Sequence, residues 1–370
     1  MATGITTYQC PACTAPLHFV GESGKLECDY CGKTYEVAEI ERLFQEKEAA
    51  SAAAQTKADA ALDKEKAAAE EMGMSWDTQE TAGMKSYNCP SCGAQMICDA
   101  TTAAASCPYC GNPTVAPGQF TGGLRPELVI PFKLDKQSAI SALKKYYRGK
   151  KFLPKAFSDQ NHIEEIQGVY VPFWLCDCQV EGTATYEATN SRSWKEGDYE
   201  ITETDHYQVD RSGSIGFARI PVDASTKMPD AHMDAIEPYD YSELKAFSTA
   251  YLPGFLADVY DVSQQESMPR IETRAHNSMG AELQKTVQGY GTVHVQNQSF
   301  RVLRADMKYA LMPVWMLSTK WNGQNFLFAM NGQTGKLIGD LPVDKGKYLA
   351  WFAGIALPLM ALILGGWFLL

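Results

Sequence analysis

Cys10-Pro11-Ala12-Cys13 and Cys28-Asp29-Tyr30-Cys31 are separated by fourteen residues, and so are Cys89-Pro90-Ser91-Cys92 and Cys107-Pro108-Tyr109-Cys110. A shift of 79 residues superposes the first quartet on the second, cysteine for cysteine, and carries Tyr8 onto Tyr87. Each Cys-x-x-Cys turn aims two thiolates at one point. Two such turns on facing hairpins close a tetrahedral shell at a metal–sulfur distance of ~2.3 Å. Gly32, Gly93 and Gly111 follow three of the four second cysteines, where a small residue leaves main-chain N–H groups free to reach the sulfurs. The pattern predicts two zinc ribbons and two structural Zn2+ ions, one held by Cys10, Cys13, Cys28 and Cys31, the other by Cys89, Cys92, Cys107 and Cys110. Four thiolates leave no open position for water, so the sites are structural. Disulfides are one rival for this spacing and rubredoxin-like iron is the sharper one; the short gap favours zinc.

Working outward, the composition divides the chain into a ribbon at 1–35, a spacer at 36–86, a second ribbon at 87–118, a β-rich α+β domain at 119–347 and an apolar terminus at 348–370. The spacer is rich in Ala, Glu, Lys and Gln, and eleven of the 21 residues from Ala49 to Ala69 are Ala. Helix propensity is high there. After Val37, Ile40, Leu43 and Phe44 the apolar stripe stops, which predicts a solvated, semi-rigid helix.

In the β-rich stretch, Lys136 to Tyr147 reads as a helix, and Ser263-Gln264-Gln265-Glu266 is a capping box opening a second one to about Gln288. Strands are expected over Val169–Val180, Thr183–Ala188, Tyr199–Val209, Ser214–Pro221, Thr292–Val295, Tyr309–Lys320 and Asn325–Met330. Glu181-Gly182, Asn322-Gly323 and Asn331-Gly332 read as hairpin turns. A second repeat, offset by 141, places Val171-Pro172-Phe173-Trp174-Leu175 on Met312-Pro313-Val314-Trp315-Met316. A Pro-x-Trp strand thus occurs twice, which predicts a duplicated hairpin with each Pro near a strand start or a sheet edge.

Leu349 to Leu370 contains no charged residue, with Trp351 and Trp367 near its ends and Lys345 and Lys347 just before it. About 20 apolar residues span a ~30 Å hydrocarbon core, so the terminus reads as one transmembrane helix in contact with lipid. The flanking lysines orient the N-terminal bulk toward the cytoplasm, a single-pass placement in the cell membrane. No charged and apolar leader opens the chain at Met1-Ala2-Thr3-Gly4.

The chain carries 33 Lys and Arg against 44 Asp and Glu, a formal charge of −11. That balance weighs against nucleic-acid binding, whose affinity comes from cations set against phosphates. The ribbons lack a basic, aromatic face as well. No His-Glu-x-x-His, Gly-x-Ser-x-Gly or phosphate-binding loop is present, and no small-molecule substrate is evident. Cys98 falls where Phe19 sits in the first ribbon, an inward strand position, and reads as a buried apolar cysteine. Cys176 and Cys178, two apart, share a strand face; a thiol oxidoreductase built on them is the enzymatic rival. The basic run Lys144, Lys145, Arg148, Lys150 and Lys151 reads as a solvated helix end or as a contact for anionic headgroups.

The two quartets, Ile130-Pro131-Phe132-Lys133, the stretch from Tyr170 to Asp177, Asp258-Val259-Tyr260-Asp261-Val262, and Met330 to Lys336 with Gly339-Asp340-Leu341-Pro342, together with the apolar terminus, resemble a bacterial family. Its members are zinc-ribbon membrane proteins with ribbons of the transcription-factor-IIB type. Some members resemble partners of phage-shock protein A, recruiting it under envelope stress; others are labelled helicase or primosomal proteins. The resemblance implies a membrane-anchored scaffold or adaptor that docks protein partners, and not an enzyme. A nucleic-acid-binding ribbon protein, tied to transcription or replication, is the alternative.

Overall fold

The computed structural model describes residues 10–12, 17–20, 23–28, 32–43, 45–46, 69, 74–77, 80–81, 83–89, 91–100, 102, 106–112, 116–119, 124–154, 163–321 and 323–369. Three short strands, β1 (His18–Val20), β2 (Lys25–Glu27) and β3 (Thr34–Tyr35), form a sheet of their own. The remaining strands belong to one sheet. They are β4 (Met84–Asn88), β5 (Gln95–Asp99), β6 (Ala116–Gln119), β7 (Leu128–Val129), β8 (Gln167–Glu196), β9 (Tyr199–Asp223), β10 (Lys245–Ala246), β11 (Leu256–Asp258), β12 (Thr292–Trp321), β13 (Gln324–Asn331) and β14 (Leu337–Gly339). The main path runs β10-β7-β12-β8-β11-β5-β4-β6, with β9 added to β8 and β13 and β14 added beside β12. Helices accompany the strands; among the described residues they include α1 (Lys136–Tyr147), α2 (Asp230–Ile236), α3 (Gln264–Lys285) and α4 (Lys345–Leu369), and residues 37–43 are helical as well.

The long strands come from merging segments that the sequence pattern separates. Glu181-Gly182 is not a turn: β8 passes through it, paired with Ser214 and Gly213 on one side and with Arg301 and Phe300 on the other. The glycine serves close approach. A Cβ on Gly182 would collide with the Phe300 ring and with the Ser299 carbonyl oxygen at 2.6 Å. The turn that ends β8 falls at Gly197, where φ is +64°. Sequence alternation continues through Gly182 unbroken, so one strand satisfies the main chain without a reversal.

The two Pro-x-Trp segments lie side by side at the middle of the sheet. Pro172 sits opposite Leu311, and Pro313 opposite Tyr170, so neither proline is at an edge of the sheet. The indole N–H of Trp174 donates to the Val262 carbonyl at 2.9 Å, and that of Trp315 to the Leu134 carbonyl at 3.0 Å. Each buried ring thus keeps its polar atom satisfied. Beyond this core, β9, β8 and β12 extend as an arm. The capping box at Ser263 and Glu266 starts α3 as the pattern predicts, and α3 lays Ile271, Ala275, Met279 and Leu283 against Val180, Ala184 and Tyr186 of the arm.

The spacer between the cysteine clusters is described only at its ends, and 47–68 lie outside the described residues. Its far end is packed, not solvated. Ala69 is buried in a cluster with Tyr170 and Trp174, with Met74 and Trp76 against it. Arg125 clamps it by donating to both Glu80 oxygens, at 2.9 and 2.8 Å.

The transmembrane helix expected at 348–370 is corrected. Among the described residues no helix is long and apolar enough to cross a membrane. The single-pass membrane placement, with its cytoplasmic bulk, goes with it. Helix α4 opens with Lys345 and Lys347. At its start α4 is tied to the body: Lys347 Nζ donates to the Leu153 carbonyl at 2.7 Å, and Phe152 packs edge-on against Tyr348 and Trp351.

Asn331, fully buried at the end of β13, shows what the turn residues do. Its amide donates to the Ile236 and Pro238 carbonyls at 3.0 and 3.3 Å and accepts from the N–H groups of Gln333 and Thr334. Asn331→Ala strands these groups, each buried orphan costing about 1–3 kcal/mol. We expect a loss of about 2–4 kcal/mol, read as a lower denaturant midpoint at unchanged slope; an unchanged midpoint contradicts this role.

Candidate metal centre

Cys89 and Cys92 lie on the turn between β4 and β5, Cys107 and Cys110 on the turn before β6. Both turns are built alike. Gly93 N–H donates to the Cys89 carbonyl and Gly111 N–H to the Cys107 carbonyl, each at 2.9 Å. Cys89 N–H donates to the Ala94 carbonyl at 2.9 Å and Cys107 N–H to that of Asn112 at 2.7 Å. The chain reverses at φ values of +72° and +67° at the two glycines, a conformation that a side chain resists. Gly111 is needed twice over, because a Cβ there would stand 3.0 Å from the Ser318 carbonyl oxygen of β12.

These turns bring the four sulfurs within 4.8 Å of one another. Cys89 Sγ is 3.5 Å from Cys110 Sγ, and Cys92 Sγ is 3.6 Å from Cys107 Sγ. A disulfide needs ~2.05 Å, so neither contact is one, and all four are free cysteines. A tetrahedron with metal–sulfur bonds of ~2.3 Å has edges of ~3.8 Å. The observed spacing fits that cage, and the four residues are placed to hold a metal ion. Thiol protons compete with one another here: Cys107 is pushed far above the ordinary thiol range by hydrogen bonding to the Cys110 and Cys89 sulfurs and by burial. A divalent cation replaces those protons and lets all four sulfurs stand as thiolates.

The cage is part of the main core. Cys89, Cys107 and Tyr109 share one cluster with Val169, Met312 and Met316, and β5 pairs antiparallel with β11. Gln167, the first residue of β8, donates to the Ser106 carbonyl at 3.1 Å and hydroxyl at 2.7 Å. The buried Tyr109 hydroxyl lies beside the Asp258 carboxylate, which also accepts from Ser225 Oγ at 2.7 Å. Burial raises Asp258 to about 7. The Cys-x-x-Cys pattern finds the ligands but not this carboxylate beneath them, which arrives from 150 residues away; only its place in a motif singled it out.

Of the first quartet, Cys10 and Cys28 are buried in a small core with Leu17, Leu26 and Ile40. Cys13 and Cys31 lie outside the described residues. Cys28 repeats the turn of the second site: Gly32 N–H donates to its carbonyl at 2.9 Å, Cys28 N–H to the Lys33 carbonyl at 3.0 Å, and Gly32 has φ +67°. The two ribbons differ at one equivalent position. Cys98 is fully buried, whereas Phe19 is 60% exposed and so points outward, not inward. Cys98 is buried because the face of β5 that it shares with Met96 packs into the main core, in one cluster with Ile130, Val171 and Met233. Cys176 and Cys178 are buried on either side of a bulge in the β8–β9 ladder. Burial pushes Cys176 up to about 12 and raises Cys178 too, opposite to the depressed pKa of a reactive thiol.

The Asp258 carboxyl is raised in the folded chain, so it keeps a proton that the unfolded chain releases. Its contribution is favourable below about pH 4 and is lost as the pH rises to about 7. Asp258→Asn removes this titration. The stability of Asp258→Asn relative to wild type, from denaturant curves at constant ionic strength, should rise between about pH 4 and 7 and level off above. A pH-independent difference rejects the buried, proton-holding carboxyl.

No family model matches the chain, and no solved structure matches it. A relative described as the uncharacterized protein YdjG of Bacillus subtilis is 36% identical over 338 residues, covering 76% of this chain and 99% of its own length. At that identity and coverage, this chain belongs to the same family as YdjG.

Proposed function

We propose that this protein is a zinc-stabilised scaffold that docks protein partners, with two structural Zn2+ ions and no catalytic site. The observation that supports it is the closed four-cysteine cage of Cys89, Cys92, Cys107 and Cys110 set into the core of the sheet. Such a cage offers a substrate no coordination position, and its ion serves folding. The second ion is held by Cys10, Cys13, Cys28 and Cys31, on the strength of the repeated turn at Cys28 and Gly32. Zinc is favoured over iron by the ribbon spacing of the cysteines.

The docking element is the first ribbon. Where the second ribbon buries Cys98 in the sheet, the first presents Phe19 to solvent, a large apolar side chain on a small unit. The partner class is a protein resembling phage-shock protein A, as the sequence resemblance implies. The acidic balance of the chain weighs against nucleic acid as the alternative partner.

Two measurements test this reading. Elemental analysis of the purified chain should find two zinc ions per chain, falling to one in Cys107→Ser; iron, or no metal, refutes the metal assignment. Affinity purification with Phe19→Asp should recover the partner at least tenfold less than wild type while zinc content stays at two. Undiminished recovery removes the first ribbon as the docking site.

A further inference from the structure

The arm is longer on one side than on the other. β12 begins at Thr292, opposite Thr189, whereas β8 continues to Glu196 and is paired that far by β9. Residues 190–196 of β8 therefore have one edge filled by β9, and the other is unpaired among the described residues. The Thr189 carbonyl faces this open side, because Gly291 N–H donates to it at 2.8 Å. Main-chain groups alternate sides along a strand, so Ser191, Ser193 and Lys195 turn their N–H and C=O groups outward with it.

Open edges are normally blunted by proline, a bulge or charged side chains, and of these the edge carries Arg192, Lys195 and Glu196. This one has no proline, and its ladder to β9 runs from Cys178 to Glu196 without a register shift. Trp194 is 43% exposed on the strand and Tyr199 is 77% exposed just beyond the turn.

We propose that this edge docks a second copy of the chain, two β8 strands pairing antiparallel about a twofold axis at Ser193. The sequence is self-complementary in that register. Ser193 meets the partner's Ser193 and Ser191 meets the partner's Lys195 at hydrogen-bonded positions, using every outward N–H and C=O from 191 to 195. Arg192 then stands opposite the partner's Trp194 at the closer, non-hydrogen-bonded positions. Its guanidinium, oriented by Nε–H donation to Glu203 Oε2 at 2.8 Å, meets an indole face twice across the axis. Asn190 faces the partner's Glu196, and no like charges oppose one another. An isologous contact of this kind closes at two copies and does not propagate into a fibre.

Sedimentation velocity of the full-length chain over a range of concentrations tests this. Wild type should move from monomer to dimer. Ser193→Pro removes an N–H that the arm itself does not use, and should remain monomeric at every concentration at which wild type is dimeric. Ser193→Cys places two Cα atoms ~5.5 Å apart across the axis, a separation that a disulfide bridges. With oxidised glutathione it should give a reducible dimer on a denaturing gel that wild type does not. A wild-type chain that stays monomeric, a dimer that survives Ser193→Pro, or a Ser193→Cys chain that does not cross-link each overturns the proposal. Should Ser193→Pro fail to fold, the cross-link decides.

Discussion

The antiparallel ladder between β8 and β12, from Thr189 opposite Thr292 to Gln167 opposite Met316, is the constraint on which the rest depends. It joins segments more than a hundred residues apart, and each flanking element takes its place from it. β9 adds to one side and β13 to the other, so the order is β9-β8-β12-β13. The pairing is nearly symmetric within one chain. The pair Pro172–Leu311 maps onto Pro313–Tyr170 under the 141-residue offset, and both tryptophans of the repeat anchor a flanking loop by an indole N–H. A duplicated unit pairing with itself buries both apolar faces at once, which neither copy achieves alone.

The ladder also supplies the floor of the metal centre. Gly111 rests against Ser318 of β12, Gln167 of β8 holds Ser106, and β11 connects β8 to β5. The second ribbon is thereby continuous with the sheet, and its ligands are oriented by the same residues that orient the strands. Outer contacts of this kind commonly set ligand geometry in metal sites. Asp258 stands at the junction: it ends β11, accepts from Ser225 and lies beside Tyr109, between two ligands. Keeping such a carboxyl dry is tolerable because it holds its proton.

A different balance governs the arm. Its α3 face is apolar and covered, while the opposite face carries Thr183, Thr185, Thr189 and Ser191, with the ion pair Glu181–Arg301. At the base, Arg270 bridges buried Asp223 and exposed Asp234, both at 2.6 Å, tying α3 to β9 and α2. Burial still raises Asp223 to about 6 despite that partner, so this ion pair orients more than it stabilises.

Local chemistry was legible in the sequence wherever the determining residues are neighbours. The Cys-x-x-Cys-Gly turns, the capping box at Ser263 and the bounds of α1 follow from a few adjacent side chains, and the cysteine spacing alone identified the four sulfurs of the observed cage. What failed was whatever depends on a distant partner. Gly182 reads as a turn because glycine permits one; only the Phe300 ring pressed against it makes it a site of close approach within a continuous strand. Cys98 and Phe19 occupy one position of one repeat, yet one is buried and the other exposed, because the face of the second ribbon that carries Cys98 packs into the main core. The apolar terminus read as a membrane span by composition, a property that ignores where the helix attaches, its start being tied to the body through Lys347 and Tyr348. Sequence by itself determined the turns and the ligands, since their energies are local. Tertiary structure decided what is buried, because burial belongs to the pairing of segments far apart in the chain.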